Sequence, residues 1–217
     1  MLLAHRGLHG LHPENSPAAF AALPGSGLDG AEFDVRLAAD GTPVVIHDAT
    51  LERTHGDPRA VASLTAAQLE PLGVPTLAAV LALLPPPLLL DVELKVEPNE
   101  RFCAVVRAAR GSDADGAVFS SFEPAHLARL AALEPSWPTW LNAAVGEPLH
   151  AARASGYAGV AVERGMLGAT LRAARGEEVA IWTLGRAEQV ELLEAPGLVA
   201  ACLEGAAVAA ALGRFGA

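Results

Sequence analysis

The sequence predicts an α/β protein folded as a single TIM-like (β/α)8 barrel, and three observations carry that expectation. Short apolar runs alternate with longer Ala/Leu/Arg/Glu segments from one end of the chain to the other, as repeated βα units require. The chain has 217 residues, a length that one barrel with one core can use, so residues 1–217 are read as one domain. It is 52% hydrophobic but only 5% aromatic, so Ala, Leu and Val must fill the interior. Helices packed on parallel strands suit that composition better than an all-β sandwich does.

The apolar runs place strands near residues 2–5, 30–35, 43–47, 88–94, 117–120, 139–141, 159–162, 179–183 and 198–203. That is one more than the barrel needs, and the short run at 139–141, which follows Pro138, is the weakest. Ser16-Pro17 supplies an N-cap with proline at the first helical position, and Thr65-Ala66-Ala67-Gln68 reads as a capping box. Helices are expected near residues 16–23, 65–69, 77–84, 99–110, 124–133, 148–154, 167–175 and 187–194. Residues 48–75 are the one stretch long enough for a loop-rich insertion.

The formal charge of −10 and pI near 5.1 exclude a general nucleic-acid backbone binder, which needs excess Lys and Arg to displace counterions. Any phosphate must be met locally, by a few cations or a metal. The longest apolar run, residues 77–90, is broken by Pro85-Pro86-Pro87 and is too short to span a bilayer, so stable membrane insertion is not expected. No signal peptide is expected ahead of His5, and Cys103 and Cys202, without CxxC spacing, read as buried free thiols. A cytoplasmic, reducing location fits both. Oligomeric state is left open.

Four polar clusters fall at the C-terminal ends of predicted strands, where barrels assemble active sites. The first is His5-Arg6-Gly7, continued by Pro13-Glu14-Asn15-Ser16. The second is Glu32-Phe33-Asp34, whose spacing of two puts both carboxylates on one strand face. The third, His47-Asp48, is reached through Asp40-Gly41. If that dipeptide centres a hairpin, Asp34 stands opposite His47; if the chain runs back down the barrel instead, a parallel strand follows. The fourth is Glu93-Leu94-Lys95, with Asp91 on the same face.

Each cluster alone has a plain structural reading, as a solvated histidine or a surface ion pair; joint occurrence at strand ends favours a site. Hard carboxylate oxygens suit Mg²⁺ or Ca²⁺ and leave two histidines free to move protons. A phosphodiester suits this inventory better than a carbonyl substrate, since metal and cations offset phosphoryl charge. His9, His12, His55, His126 and His150 stand without such company and are read as structural or solvated. Trp182 reads equally as a substrate-contacting wall or a packed core residue.

As an ordered set, these clusters resemble the glycerophosphodiester phosphodiesterase family, PLC-like enzymes with a TIM-barrel fold. The matching stretches are His5-Arg6-Gly7, Pro13-Glu14-Asn15-Ser16 (Thr is commoner in the last place), Glu32-Phe33-Asp34-Val35, Asp40 to Asp48, Leu51-Glu52-Arg53-Thr54, Pro75-Thr76-Leu77, Glu93-Leu94-Lys95, Ser120-Ser121-Phe122 and Ile181-Trp182-Thr183. The resemblance implies that Glu32, Asp34 and Glu93 bind a divalent metal and that His5 and His47 form the acid/base pair. It further implies that Arg6 and Lys95 hold phosphate oxygens and that Asn15 and Trp182 line the substrate site. The implied reaction is hydrolysis of a small-molecule glycerophosphodiester to glycerol 3-phosphate and an alcohol, with water or a substrate hydroxyl as first attacker. Two departures stand out: Gly185 where the family usually has Asn, and Leu203-Glu204-Gly205-Ala206 where it has Thr-Asp-x-Pro. Neither is expected to touch a metal ligand or a histidine. The rival expectations are a lysophospholipase D and a barrel that binds a phosphate ligand without turnover.

Overall fold

A computed structural model describes residues 1–215 and bears out the barrel. Its strands are β1 (Leu2–His5), β2 (Gly30–Leu37), β3 (Pro43–Val45), β4 (Leu89–Leu94), β5 (Ala117–Ser121), β6 (Thr139–Ala143), β7 (Gly159–Glu163), β8 (Glu178–Leu184) and β9 (Leu198–Leu203). Parallel pairing runs β1-β2-β4-β5-β6-β7-β8-β9 and closes where Leu3 of β1 pairs with Cys202 of β9. The extra strand is β3, which pairs antiparallel with β2 and, through Val44, makes one further antiparallel bridge to Thr76. The doubtful run beginning at Thr139 is a full barrel strand, held by β5 and β7.

The β2–β3 hairpin corrects the expected register. Leu37 pairs with Pro43 and Val35 with Val45, so Asp34 lies opposite Ile46, whose N–H donates to the Asp34 carbonyl at 3.0 Å. The reason is loop length: Ala39, Asp40 and Gly41 form a three-residue loop, with Gly41 at φ 74° and its N–H on the Ala38 carbonyl at 2.9 Å. A two-residue turn centred between Asp40 and Gly41 would have shifted the pairing by one residue.

Period-two alternation divides the strands. Ala31, Phe33 and Val35 of β2 and Leu90, Val92 and Leu94 of β4 face the helices and join the main core. Each large side chain so buried stabilises the fold by about 1.5–3 kcal/mol. Inside the barrel, Leu3, Trp140, Ala161, Ala180, Ala200 and Cys202 form an apolar plug. Trp140 keeps its indole N–H satisfied by Glu178 Oε2 at 2.7 Å. The carboxylates of β2 and β4 occupy the same barrel-facing positions.

Helices pack outside the strands, with Ser16, Thr76 and Asn99 as N-caps whose side chains each accept a backbone N–H. At Thr65 the expected capping box forms, with Gln68 Oε1 accepting the Thr65 N–H at 2.9 Å and the Thr65 hydroxyl bonded to the same oxygen at 3.2 Å. Residues 187–194 form a 3₁₀ helix, and a C-terminal helix at Ala206–Phe215 was not anticipated. The segment after β3 carries short helices at Glu52–His55 and Ala66–Leu69 over its own small core, which includes Ile46, Leu51, Val61, Leu69 and Val74. Arg53 ties this segment to the loop after β1, with Nη1 and Nη2 on the Glu14 carboxylate at 2.8 and 2.6 Å. Both cysteines are buried and free.

Candidate active site

β1 ends at His5 and the chain turns at once, with Arg6 at φ 53° and Gly7 at φ 75°. Glycine is required there, because a Cβ on Gly7 would lie 2.9 Å from that of Ala19. The strained Arg6 backbone is held by its N–H, which donates to Glu32 Oε2 at 3.1 Å. Its guanidinium spans two carboxylates, with Nη1 donating to Glu14 Oε1 at 2.9 Å and Nε 3.3 Å from Asp34 Oδ2. His-Arg-Gly is thus a turn that points a histidine and a cation at the end of β2.

Glu32, Asp34 and Glu93 are buried, and one oxygen from each lies within 4.8 Å of the others. Burial drives the Glu32 pKa well up, reinforced by the charges of Asp34, Glu93 and Asp91. Glu93 is pushed up to about 7, by burial first and then by Asp34. Burial also opposes ionisation of Asp34, but Lys95 and Arg6 outweigh it and hold its carboxyl below the ordinary range. Lys95 Nζ stands 3.2 Å from Asp34 Oδ1 and 2.5 Å from Glu93 Oε1. Two cations cannot neutralise four buried carboxylates when Asp91 is counted; its own pKa is pushed by burial to about 7. An all-oxygen donor set short of positive charge fits a hard divalent cation.

The two histidines are held alike. His5 Nδ1 is 2.6 Å from Glu204 Oε2, and His47 Nδ1 is 2.6 Å from Asp48 Oδ1. A hydrogen bond from Arg53, above all, brings Asp48 to about 2, and one from His5 lowers Glu204. Both carboxylates therefore accept, which places the proton on each Nδ1 and leaves each Nε2 free. Burial lowers the His47 pKa, partly offset by Asp34. Arg36 fixes the main chain here, donating from Nε to the His47 carbonyl at 2.8 Å.

These groups face a cleft of about 190 Å³ lined by His5, Arg6, Glu32, His47, Glu93, Lys95 and Trp182. The same cleft takes in Asp91, Ser120, Phe122, Asn142, Thr183 and Cys202. Eight of the nine residues singled out from sequence are therefore gathered, since Asp34 lies beneath the floor in contact with Lys95 and Arg6. Asn15 is the exception: it is buried behind Asp34, to which its Nδ2 donates at 2.9 Å, and it opens onto a different cavity. Its position orients a carboxylate and does not line the cleft. Trp182 packs its body against the plug, with its Nε1 on the Ala161 carbonyl at 3.0 Å, and its ring borders the cleft beside Phe122.

Three residues were missed. Asn142, on β6, is buried with an Oδ1 that finds no partner among the described residues, the mark of a group able to take a ligand or water. His9, read as structural, donates to the His5 carbonyl at 2.6 Å and brings Nε2 to 3.4 Å from Glu204 Oε2. Glu204 corrects the expectation that the departures touch no histidine, because it holds His5. The two departures also touch each other: a Cβ on Gly185 would meet Glu204 Oε1 at 3.3 Å. A glycine there leaves room for a carboxylate one methylene longer than aspartate.

Comparison with known proteins follows the same line. The profile of the glycerophosphoryl diester phosphodiesterase family matches residues 5–202. A glycerophosphodiester phosphodiesterase of Bacillus altitudinis is 51% identical over 53 residues, covering 24% of this chain and 22% of the relative. The chain thus spans about a quarter or less of the length of the curated relatives it first matches. The glycerophosphodiester phosphodiesterase structure from Thermotoga maritima superposes with a TM-score of 0.78 at 23% identity, covering 93% of each chain. A phosphodiesterase from Oleispira antarctica, in complex with the product sn-glycerol-3-phosphate, superposes with a TM-score of 0.79 at 23% identity, covering 94% of this chain and 92% of that one. At these identities the structures speak to the fold.

Proposed function

The chain belongs to the glycerophosphoryl diester phosphodiesterase family, and from that premise we propose that its cleft hydrolyses glycerophosphodiesters to glycerol 3-phosphate and an alcohol. The observation that carries the reading is the pair of imidazoles, each with Nδ1 on a carboxylate and Nε2 free, flanking a buried carboxylate cluster in one cleft. Glu32, Asp34 and Glu93 would hold a divalent cation, Mg²⁺ or Ca²⁺, which when bound offsets charge on the phosphoryl oxygens. Arg6 and Lys95 supply further positive charge beside the same carboxylates, directed at the non-bridging oxygens.

The histidines divide the proton work. The neutral ring of one accepts a proton at Nε2 from the attacking hydroxyl, and the other, entering the cycle as the imidazolium with Nε2 also protonated, donates that proton to the departing alkoxide. Glu204 and Asp48 do not transfer protons; they keep each ring in the Nδ1–H tautomer and stabilise the imidazolium when it forms. Asn142 and Trp182, across the cleft from His5 and His47, offer an amide and an indole face to the glycerol or alcohol portion.

³¹P NMR of the products tests the reading. Incubation of glycerophosphocholine with the Mg²⁺- or Ca²⁺-loaded protein is expected to yield glycerol 3-phosphate and choline. Release of phosphocholine and glycerol would show cleavage of the other ester bond, and no turnover on any glycerophosphodiester would leave a phosphate-binding barrel. Lysophospholipase D action is the second reading; the apolar groove at Leu8, Leu11, Leu203, Val208 and Leu212, beside Glu204, is the observation that favours it.

A further inference from the structure

We infer that His5, His9 and Glu204 form a transition-metal site at the rim of the cleft, separate from the carboxylate cluster, through which an ion such as Zn²⁺ switches the enzyme off. One ligand atom from each of His5, His9 and Glu204 lies within 4.8 Å of the others, and Glu204 Oε2 is 2.6 Å from His5 Nδ1 and 3.4 Å from His9 Nε2. Two nitrogens and a carboxylate are a borderline donor set, favouring Zn²⁺ and its neighbours over Mg²⁺ or Ca²⁺, whereas the Glu32, Asp34 and Glu93 set is all oxygen. The two sites therefore sort ions by chemistry, although Glu32 Oε2 is only 3.8 Å from His5 Nε2.

The rim groups are arranged as ligands. His9 Nδ1 lies 2.6 Å from the His5 carbonyl, which can only accept, so the proton sits on Nδ1 and the lone pair on Nε2. A backbone carbonyl on the far nitrogen is how a metal-binding imidazole is held. Ligand atoms around a tetrahedral ion with bonds of about 2.0–2.1 Å stand about 3.3 Å apart. His9 Nε2 and Glu204 Oε2 are 3.4 Å apart, and the 2.6 Å between Glu204 Oε2 and His5 Nδ1 needs to open slightly once the proton between them has gone. The Glu204 side chain, 35% exposed, can make that movement, and solvent supplies the open coordination position.

The inference rests on the proposed function for its consequence. Coordination requires the lone pair of His5 Nδ1, so the proton leaves Nδ1 and is taken up at Nε2 of the same ring. A neutral ring bound through Nδ1 and carrying Nε2–H can neither accept a proton from an attacking hydroxyl nor become the imidazolium that donates one, and Glu204 no longer orients the ring. The ion thus removes one of the two proton carriers without entering the carboxylate cluster.

Calorimetric titration of ZnCl₂ into the Mg²⁺-saturated protein, alongside glycerophosphocholine hydrolysis, tests this. The wild type should bind one equivalent tightly and lose activity in parallel. His9→Ala, which removes a ligand outside the proposed catalytic set, should weaken binding at least about 10- to 100-fold and remain active at Zn²⁺ levels that silence the wild type. His9→Asn, which retains a side-chain donor for the His5 carbonyl, should behave the same way if coordination is what matters. Glu204→Gln should also weaken the isotherm. Equal Zn²⁺ affinity in wild type and both His9 variants, or the absence of a tight equivalent in the wild type, overturns the inference. Because the isotherm needs no turnover, it stands or falls apart from the hydrolytic reading.

Discussion

Replacement of Asp91 by Asn should stabilise the metal-free protein, and more so as the pH rises. Asp91 is 3% exposed, and its one hydrogen bond comes from Ser120 Oγ at 2.6 Å. Burial, against the help of Ser120 and with the charge of Asp34 adding to it, raises its pKa from 3.8 to about 7. A folded-state pKa above the unfolded value means that the carboxyl costs nothing below about pH 4 and a growing amount as the unfolded chain ionises and the folded one does not. The cost is full above pH 7, where the rise corresponds to about 4 kcal/mol as an upper bound, at about 1.4 kcal/mol per pH unit. An asparagine accepts the Ser120 hydrogen bond and cannot ionise. Urea denaturation in the presence of chelator should give a difference between Asp91→Asn and wild type of about 1.5 kcal/mol at pH 5, growing to about 4 kcal/mol at pH 8. In a domain of this size, 4 kcal/mol is about 8–16 °C in Tm. A difference independent of pH, or a variant less stable than wild type at pH 8, would refute the reasoning that this carboxyl is buried at a cost.

The other predictions concern the rim and the proton carriers. Hydrogen bonds from Arg53 hold Glu14 and Asp48 at about 2, so their stabilisation is present above pH 4.5 and is lost as the pH falls towards 2. Arg53→Ala should flatten that part of a Tm-against-pH curve at a cost of about 1–2 kcal/mol near neutrality, the half-exposed guanidinium being screened by solvent; an unchanged curve would remove the network from the stability account. His5→Ala and His47→Ala should each lower kcat by about 10²–10⁴ on a poor alcohol leaving group, and a nitrophenyl ester should partly rescue whichever histidine is the acid. Rescue of both, or of neither, would contradict the division of roles. Finally, the segment after β3 holds only short helices, and its residues 48–75 are not among those lining the cleft, so the alcohol side should be read weakly, with kcat/KM varying by no more than about 10–200-fold across choline, ethanolamine, serine and glycerol esters. A preference of several thousand-fold would reveal a headgroup pocket.

The half of the site contributed by the first 95 residues was legible because its residues come in pairs. Glu32 with Asp34, and Glu93 with Lys95, betray themselves by two-residue spacing at strand ends, and His-Arg-Gly by a turn that needs glycine. Glu204 and Asn142 come singly from distant strands, with no neighbour to lift them above an ordinary polar residue. Each could have been found by applying the same strand-end rule, had β6 not looked too short and had Glu204 been weighed as a partner for His5. His9 is visible only through the fold, which brings the end of β9 to the loop after β1.

The barrel was likewise readable from alternating runs, while the strand at 43–47 was left between an antiparallel hairpin and a parallel strand, because Asp40-Gly41 marks a turn without fixing where the chain goes after it. The backbone at Gly41 decides between them and with it the register.

The proposed hydrolysis depends on a divalent cation held by Glu32, Asp34 and Glu93. Glycerol 3-phosphate release from glycerophosphocholine should be measured on protein stripped with chelator, then after Mg²⁺ or Ca²⁺ is restored, in the wild type and in Glu32→Gln, Asp34→Asn and Glu93→Gln. No release is expected from the stripped protein, recovery in the wild type with one of the two cations, and recovery in none of the variants at the same concentration. Full activity after exhaustive chelation, or wild-type recovery in any of the three variants, would contradict it.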